Sequence, residues 1–344
     1  MTVNLFSDTQ TRPTEGMRQA MASADVGDEQ RFADPTVNEL QERVAVLLGK
    51  KAAVFLPSGT MCNAIGFRLH VRPGGDEVIL DRTSHPVQYE AGGPAALSGA
   101  MLHPLDGDGG IFSPEQVEAA VRPAGDRYGP RSRLVSVEQT TNIGGGRVWP
   151  LERIREVLGI VERQGLRAHL DGARLMNAVV ASGVPAAEYA QGFDTAWIDF
   201  TKGLGAPVGA VLAGSADLIG EAWRYKQMLG GAMRQAGVLA AAALHALDHH
   251  VERLADDHEN ARRLATGLAE IDSVRIDLDR VETNIVVFGV DDAFGVCGRL
   301  WEHDVQVAPL GPDRLRAVTH LDVDSAGIDR ALAACRQVLE GSGD

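Results

Sequence analysis

Residues 195–214 read TAWIDFTKGLGAPVGAVLAG, in which two apolar runs flank a lysine and several glycines. The runs TAWIDF (195–200) and GAVLAG (209–214) have the apolar composition of buried strands. Similar runs precede them, separated by amphipathic stretches typical of helices: AAVFL (52–56), DEVIL (76–80), RLVSVE (133–138) and LRAHLD (166–171). This alternation predicts an α/β fold with a mostly parallel sheet sandwiched by helices.

The pattern changes in the C-terminal part of the chain. Residues 238–270 predict one or two long helices, and residues 324–340 predict an amphipathic closing helix. Between them lie three runs typical of strands in a second, small sheet: NIVVFGV (284–290), VQVAPL (305–310) and RLRAVTH (314–320). We therefore expect a large α/β domain at residues 1–244, whose segment 1–15 packs on a smaller α+β domain at residues 245–344.

The composition of the chain argues against several classes of function. A chain of 344 residues with 44% hydrophobic content is long enough for two packed domains. Its net charge of −14 argues against general binding of nucleic acids or anionic membranes. Three widely spaced cysteines predict neither a disulfide framework nor a metal site. We see no secretory signal and no apolar stretch long enough to cross a membrane, so a cytoplasmic protein is expected.

The turn Ser58-Gly59-Thr60 follows a predicted strand and precedes a helical run. Free backbone N–H groups, two hydroxyls and the positive end of a helix dipole make such a turn a candidate phosphate site. An ordinary helix N-cap explains the same residues, and on its own it is the commoner case.

Asp171 and Lys202 each end or follow a predicted strand. A carboxylate at that place suits the protonated nitrogen of a pyridine cofactor, although a capping aspartate paired with Arg174 is the alternative. A lysine after an apolar strand suits a Schiff base, because a poorly hydrated amine is more readily deprotonated. A surface lysine in a glycine-rich turn is its alternative.

Phosphate turn, aspartate and lysine in this order resemble the fold-type-I pyridoxal-phosphate enzymes, with Lys202 lying 31 residues after Asp171 (202 − 171). Over nearly its whole length the chain resembles the L-threonine aldolase family. The matching stretches are SDTQTRPTEGMRQAM, VGDEQRFADPTVNELQE, LPSGTMCNA, SHPVQYEAGGPAALSG, LDGARLMNAVVASG, TKGLGAPVGAVLAG, MLGGAMRQAGVLAAA and VTHLDVD.

This resemblance implies the roles of individual residues. Lys202 would form the Schiff base, and His85 would stack on the pyridine ring and transfer protons. The implied cofactor site comprises Ser58, Gly59, Thr60, His85, Asp171, Arg174, Lys202 and Arg234. The substrate site comprises Ser7, Arg31, Thr141, Arg174 and Arg316, with the two arginines 174 and 316 holding the substrate carboxylate. Arg234 and Lys226 would reach a neighbouring subunit, which implies at least a dimer and favours a tetramer.

The implied reaction splits a β-hydroxy-α-amino acid between Cα and Cβ into glycine and an aldehyde, as for threonine. The alternatives are a β-eliminating lyase, an aldolase or transaldolase for another substrate, an aminotransferase, and a regulator that binds an effector. The chain departs from the common family pattern at Phe6, Arg31, Cys62 and Thr141. Thr141 stands where a histidine is usual near the substrate hydroxyl, and Arg31 where a tyrosine is usual.

Arg31 generates a prediction about substrate choice. If it pairs with a second anionic group, Arg31→Ala should slow cleavage of 3-hydroxyaspartate about tenfold or more while sparing threonine, because one charge-assisted hydrogen bond is lost. Steady-state kinetics on both substrates measure the ratio. Equal effects on the charged and the neutral substrate would sink the idea.

Overall fold

The computed structural model describes residues 2–340, which form three sheets and fourteen α-helices in that range. In chain order the strands are β1 (Val3–Asn4), β2 (Ala52–Leu56), β3 (Asp76–Asp81), β4 (Met101–Leu105), β5 (Arg131–Glu138), β6 (Arg167–Asp171), β7 (Thr195–Asp199), β8 (Ala210–Gly214), β9 (Ile285–Gly289), β10 (Val305–Gln306), β11 (Ala308–Pro309) and β12 (Arg314–Val318).

The main sheet has seven strands in the order β2-β8-β7-β6-β5-β3-β4. Its neighbours are parallel except for β8, which runs antiparallel to both β2 and β7. The mostly parallel α/β sheet expected from the sequence is therefore confirmed. The sequence did not predict the edge strand β4, which contains Pro104, because proline within a run weakens any strand assignment.

Helices cover the sheet, as the amphipathic stretches predicted. They are α1 (Glu15–Ala22), α2 (Pro35–Leu47), α3 (Gly59–His70), α4 (His85–Gln88), α5 (Gly93–Ser98), α6 (Pro114–Ala120), α7 (Leu151–Arg163), α8 (Leu175–Ser182), α9 (Ala186–Ala190), α10 (Ala216–Met228), α11 (Gly237–His249), α12 (Leu254–Ala269), α13 (Ala293–Glu302) and α14 (Ser325–Glu340). Within residues 2–340, none of these helices is long and apolar enough to cross a membrane.

The C-terminal part forms a second apolar cluster around the antiparallel sheet β11-β12-β9. The N-terminal strand β1 joins this part, because it pairs in parallel with β10 and its neighbour Leu5 is buried in the same cluster. Helices α12 and α14 pack on the small sheet, with Leu264 and Ile328 among their buried residues. A domain boundary at residue 245 stays a prediction.

The carboxyl ends of the parallel strands meet at one edge of the main sheet. Glu138 lies opposite Asp171 in the register of β5 and β6. Directly after Asp171, the chain passes very close to β7, since a Cβ placed on Gly172 would lie 1.9 Å from the carbonyl oxygen of Trp197. Only glycine allows this approach without a backbone shift, so Gly172 determines where the Asp171 carboxylate is held.

Gly172→Ala should lower the free energy of unfolding by roughly 1–3 kcal/mol, because the new methyl group collides with backbone. Gly220→Ala is the matched control, since a Cβ at this position in α10 meets no atom within 4 Å. The control should raise stability by up to about 1 kcal/mol through helix propensity. Thermal unfolding of both variants measures the difference, and equal melting temperatures would contradict the steric account.

Candidate active site

A cavity of about 800 Å³ opens at the carboxyl edge of the main sheet. Most of the residues predicted for the site line it, together with several that the sequence did not single out. Its lining is Phe6, Ser7, Thr9, Ser58, Gly59, Thr60, His85, Tyr89, Glu138, Asn142, Asp171, Ala173, Arg174, Trp197, Asp199, Thr201, Lys202, Ala308, Pro309, Leu310 and Arg316.

Lys202 projects into this cavity from the turn after β7. Its side chain is 15% exposed, and its ammonium group contacts the carboxylate of Asp199. Asp199 is itself held by the backbone N–H and the hydroxyl of Thr201, at 2.8 and 2.7 Å from Oδ1. The candidate for Schiff-base formation is thus a largely buried lysine that forms an ion pair with Asp199.

The turn Ser58-Gly59-Thr60 forms the N-terminus of α3 at the cavity wall. Ser58 caps the helix, because its Oγ accepts a hydrogen bond from the Met61 N–H at 3.2 Å. Gly59 packs against Trp197, since a Cβ there would lie 2.4 Å from the indole ring. The turn is therefore both a helix cap and part of the cavity wall. The helix-cap interpretation and the phosphate-site interpretation of its sequence are thus compatible.

Asp171 is 2% exposed at the end of β6. Its Oδ1 accepts from the Ala173 N–H at 3.0 Å, and its Oδ2 accepts from Asn63 Nδ2 at 2.8 Å. Burial raises the pKa of Asp171, while the Asn63 hydrogen bond and the charge of His85 act in the opposite direction. A cationic group bound beside this carboxylate would favour its ionised form.

His85 begins α4 and faces the cavity with a side chain that is 33% exposed. Its Nδ1 lies 2.9 Å from Glu90 Oε1, and its backbone N–H donates to Glu138 Oε1 at 2.9 Å. Burial lowers the pKa of His85, but the Glu90 hydrogen bond and the charge of Asp171 outweigh it and raise the value overall. A carboxylate at Nδ1 holds that proton in place, which leaves Nε2 as the exchanging nitrogen.

Glu138 is a buried carboxyl group in the cavity wall, 7% exposed. It accepts backbone hydrogen bonds from His85 and, through Oε2, from Asn142 at 2.8 Å. Burial and then the negative charge of Asp171 raise the pKa of Glu138 to about 7, because the two backbone donors do not compensate fully. The site therefore holds a carboxyl group that titrates near neutral pH.

The two arginines of the cavity differ in their hydrogen-bond partners. Arg174 is 5% exposed and donates through Nε and Nη2 to the buried Asp8, at 2.8 and 2.6 Å. Burial alone would raise the pKa of Asp8, but Arg174 lowers it to about 2. One edge of Arg174 is therefore used inside the protein, and its expected role in holding the substrate carboxylate stays a prediction.

Arg316 has no carboxylate partner within residues 2–340. Its Nη1 donates to the amide oxygen of Asn142 at 2.9 Å, its Nη2 approaches the carbonyl of Phe6 at 3.4 Å, and its buried Nε has no partner there. Burial and the positive charge of Arg174 lower its pKa. Ser7 lies nearby as a cap whose Oγ accepts from the Thr9 N–H and hydroxyl. A guanidinium with these contacts can donate charge-assisted hydrogen bonds to an anion in the cavity.

Thr141 is not brought into the cavity, contrary to its expected place in the substrate site. Its side chain is fully buried, and its Oγ1 accepts from the backbone N–H of Arg147 at 3.2 Å. The chain turns after Glu138, and as a result Asn142, the residue that follows Thr141, lines the cavity instead. Since a side chain one position away can face the opposite direction, sequence position alone did not reveal this.

Arg31 and Arg234 lie outside the cavity of a single chain. Both are exposed on one surface, where the Glu29 N–H donates to the Arg234 carbonyl and the Arg234 guanidinium pairs with Asp28 at 3.1 Å. Lys226 is fully buried and pairs with Glu29 at 2.8 Å. Its side chain therefore points inward in this chain. The roles expected for Arg31 at the substrate and for Arg234 in a neighbouring subunit stay predictions.

A family model described as Beta-eliminating lyase matches residues 4–293. The chain belongs to this family. This family member is 42% identical to Probable low-specificity L-threonine aldolase 2 of Arabidopsis thaliana, over 98% of this chain and 97% of the relative. It is 38% identical to the low specificity L-threonine aldolase of Escherichia coli (strain K12), over 98% and 99%. The resemblance seen in the motifs is thereby confirmed.

The fold is likewise confirmed by a solved structure. The threonine aldolase of Leishmania major superposes on this beta-eliminating lyase family member with a TM-score of 0.84 and 20% identity, over 97% of this chain and 99% of that one. At such low identity the likeness concerns the fold, which is the architecture that the strand and helix pattern predicted.

Several site residues of this family member were missed by the sequence analysis: Asp8, Asn63, Glu90, Glu138 and Asp199. Glu138 and Asp199 carried a local signal, because each ends a predicted strand at the same edge as Asp171. Asn63 and Glu90 lie within or near helices, where only the fold shows which strand their side chains reach.

Glu138 gives a pH prediction with a definite sign. Its folded-state pKa of about 7 lies above the ordinary glutamate value of 4.5, so its contribution to stability is present below pH 4.5 and is lost as pH rises through about 7. The melting temperature of the wild type minus that of Glu138→Gln should therefore fall across this window. Thermal unfolding in matched buffers measures it, and a constant difference would contradict the raised pKa.

Proposed function

We propose that this protein is a pyridoxal-phosphate-dependent aldolase that cleaves a β-hydroxy-α-amino acid of the threonine or allo-threonine type into glycine and an aldehyde. The observation that carries the proposal is one cavity holding Lys202, Asp171 and the guanidinium of Arg316, which contacts no carboxylate within residues 2–340. An amine, a carboxylate and an anion receptor in one cavity match a carbonyl cofactor and an amino-acid substrate. The threonine aldolase relatives support the same reaction.

The residues present fit pyridoxal phosphate. The hydroxyls of Ser58 and Thr60 and the start of α3 suit a phosphate group, and the buried Asp171 carboxylate suits a protonated pyridine nitrogen. Lys202 lines the same cavity and can hold the carbonyl carbon. When bound, the cofactor supplies an electron sink for the pair of electrons released when the Cα–Cβ bond breaks.

The substrate's carboxylate would bind to Arg316, with Arg174 adding positive charge and Ser7 lying beside them. Such a clamp fixes the orientation of the bond to be broken. His85 would take the proton of the β-hydroxyl group at Nε2, because Glu90 occupies Nδ1. Against the effect of burial, the pKa of His85 is raised above its ordinary value by the Glu90 hydrogen bond and the charge of Asp171, which strengthens it as a base.

We also propose a homo-oligomer, at least a dimer and in the favoured case a tetramer. The exposed Arg31 and Arg234 share one surface, and a neighbouring chain seated there would bring their charges to its own cavity. A cytoplasmic location belongs to the same proposal.

The function is tested by incubating the purified protein with L-threonine, L-allo-threonine, phenylserine and 3-hydroxyaspartate. We expect aldehyde and glycine in equal amounts from at least one substrate. Lys202→Ala should lower turnover by about a thousandfold or more, since covalent catalysis through the amine is lost. The same variant should lose the visible absorbance of the protein-bound cofactor.

Arg316→Lys serves as the matched control, because it keeps a positive charge and leaves Lys202 in place. It should retain the cofactor absorbance while its KM rises. Release of a keto acid and ammonia instead of glycine would show β-elimination and refute the aldolase. Turnover at the wild-type rate in Lys202→Ala would refute the role of the lysine.

A further inference from the structure

A hydrogen-bonded chain of buried side chains crosses the large domain and ends on Asp171. His70 Nε2 lies 2.9 Å from Thr195 Oγ1, which lies 2.8 Å from His169 Nδ1. His169 Nε2 lies 3.1 Å from Asn63 Oδ1, and Asn63 Nδ2 lies 2.8 Å from Asp171 Oδ2. Thr195, His169 and Asn63 are each at most 1% exposed, so water does not compete for the bonds between them, whereas His70 at the outer end is half-buried.

The direction of every bond in this chain follows from Trp197. Its indole Nε1 can only donate, and it lies 2.9 Å from Asn63 Oδ1, so this atom of Asn63 is the acceptor. His169 must then donate through Nε2 and accept through Nδ1 from the Thr195 hydroxyl. Thr195 in turn accepts from His70 Nε2, so all the donors point towards Asp171.

Both histidines suit this arrangement because they are neutral. Burial lowers the pKa of His70 to about 4 and that of His169 to about 3. A neutral imidazole has one donor and one acceptor nitrogen, as a directional chain needs. Rotation of the Asn63 amide by half a turn would place its NH₂ group against two donors, so the chain and Trp197 together exclude that orientation.

The NH₂ group of Asn63 serves two carboxylates. One hydrogen is donated to Asp171 Oδ2 and the other to Glu90 Oε1 at 2.7 Å. Glu90 Oε1 is also the atom that contacts His85 Nδ1. The buried amide of Asn63 therefore contacts Asp171, the proposed partner of the cofactor nitrogen, and also Glu90, the partner of His85.

We propose that Asn63 is a positioning residue that keeps Asp171 ionised and correctly oriented beside the cofactor nitrogen and, through Glu90, orients His85. This inference rests on the proposed cofactor role of Asp171. Without the amide, the buried carboxylates of Asp171 and Glu90 both lose a donor, and only the Ala173 N–H and His85 contact them in its place. Protonation of Asp171 would relieve that cost, and a protonated Asp171 no longer stabilises a positive charge on the pyridine nitrogen.

The test uses holoenzyme loaded with pyridoxal phosphate labelled with nitrogen-15 in the ring. In Asn63→Ala we expect the nitrogen resonance to move towards the unprotonated pyridine position. Cofactor affinity should fall roughly ten- to a hundredfold, as for the loss of a hydrogen bond to a buried charge. Thr195→Val is nearly isosteric and should shift the resonance in the same direction by a smaller amount. If Asn63→Ala does not fold, Thr195→Val is measured in its place.

Asn177→Ala is the matched control. Asn177 is also a buried asparagine, 3.2 Å from His258 Nε2, but it is not part of the hydrogen-bonded series that leads from His70 to Asp171. It should leave the nitrogen resonance unchanged. A wild-type resonance and affinity in Asn63→Ala, or in Thr195→Val if that variant carries the test, would overturn the inference. A shifted resonance in a holoenzyme whose wild type releases no glycine would instead reject only the aldolase function.

Discussion

The parallel pairing of β5 with β6 places Glu138 beside Asp171, and much of the site follows from this register. Two carboxyl groups at neighbouring strand ends, both buried, repel each other and favour their protonated forms. The surroundings compensate with directed donors: backbone N–H groups for Glu138, and the amide of Asn63 for Asp171. The architecture thus produces one carboxyl group that titrates near neutral pH beside another that a cationic ligand would keep ionised.

The lysine and arginine side chains of the cavity differ in whether a carboxylate pairs with them. Asp199 neutralises Lys202, and Asp8 neutralises Arg174, so neither lysine nor arginine is an isolated buried charge. Arg316 differs, since only neutral oxygen atoms contact it within residues 2–340. Desolvating a half-buried guanidinium without a carboxylate partner costs free energy, and an anionic substrate would offset that cost on binding.

Much of the architecture was predictable because its signals are local. Apolar runs identified most strands of the main sheet, and the ends of those runs identified Asp171 and Lys202 as neighbours at one edge. Strand β4 escaped prediction because Pro104 interrupts it, and β1 because two residues carry too little pattern. For Thr141, which was expected in the substrate site, the turn after β5 decides which of two adjacent side chains lines the cavity, and Asn142 does so in the described residues.

The sequence by itself determined the order of strands and helices, the lysine and aspartate of the site, and the family through long matching motifs. Only the tertiary structure decided the long-range partners of the site residues, because those bonds join segments far apart in the chain. Asn63 reaches Asp171 across 108 positions, and Asp8 reaches Arg174 across 166. Lys202 therefore stands out in the sequence, whereas the Asn63 amide that we infer holds Asp171 in place becomes visible only when helix α3 packs against the sheet.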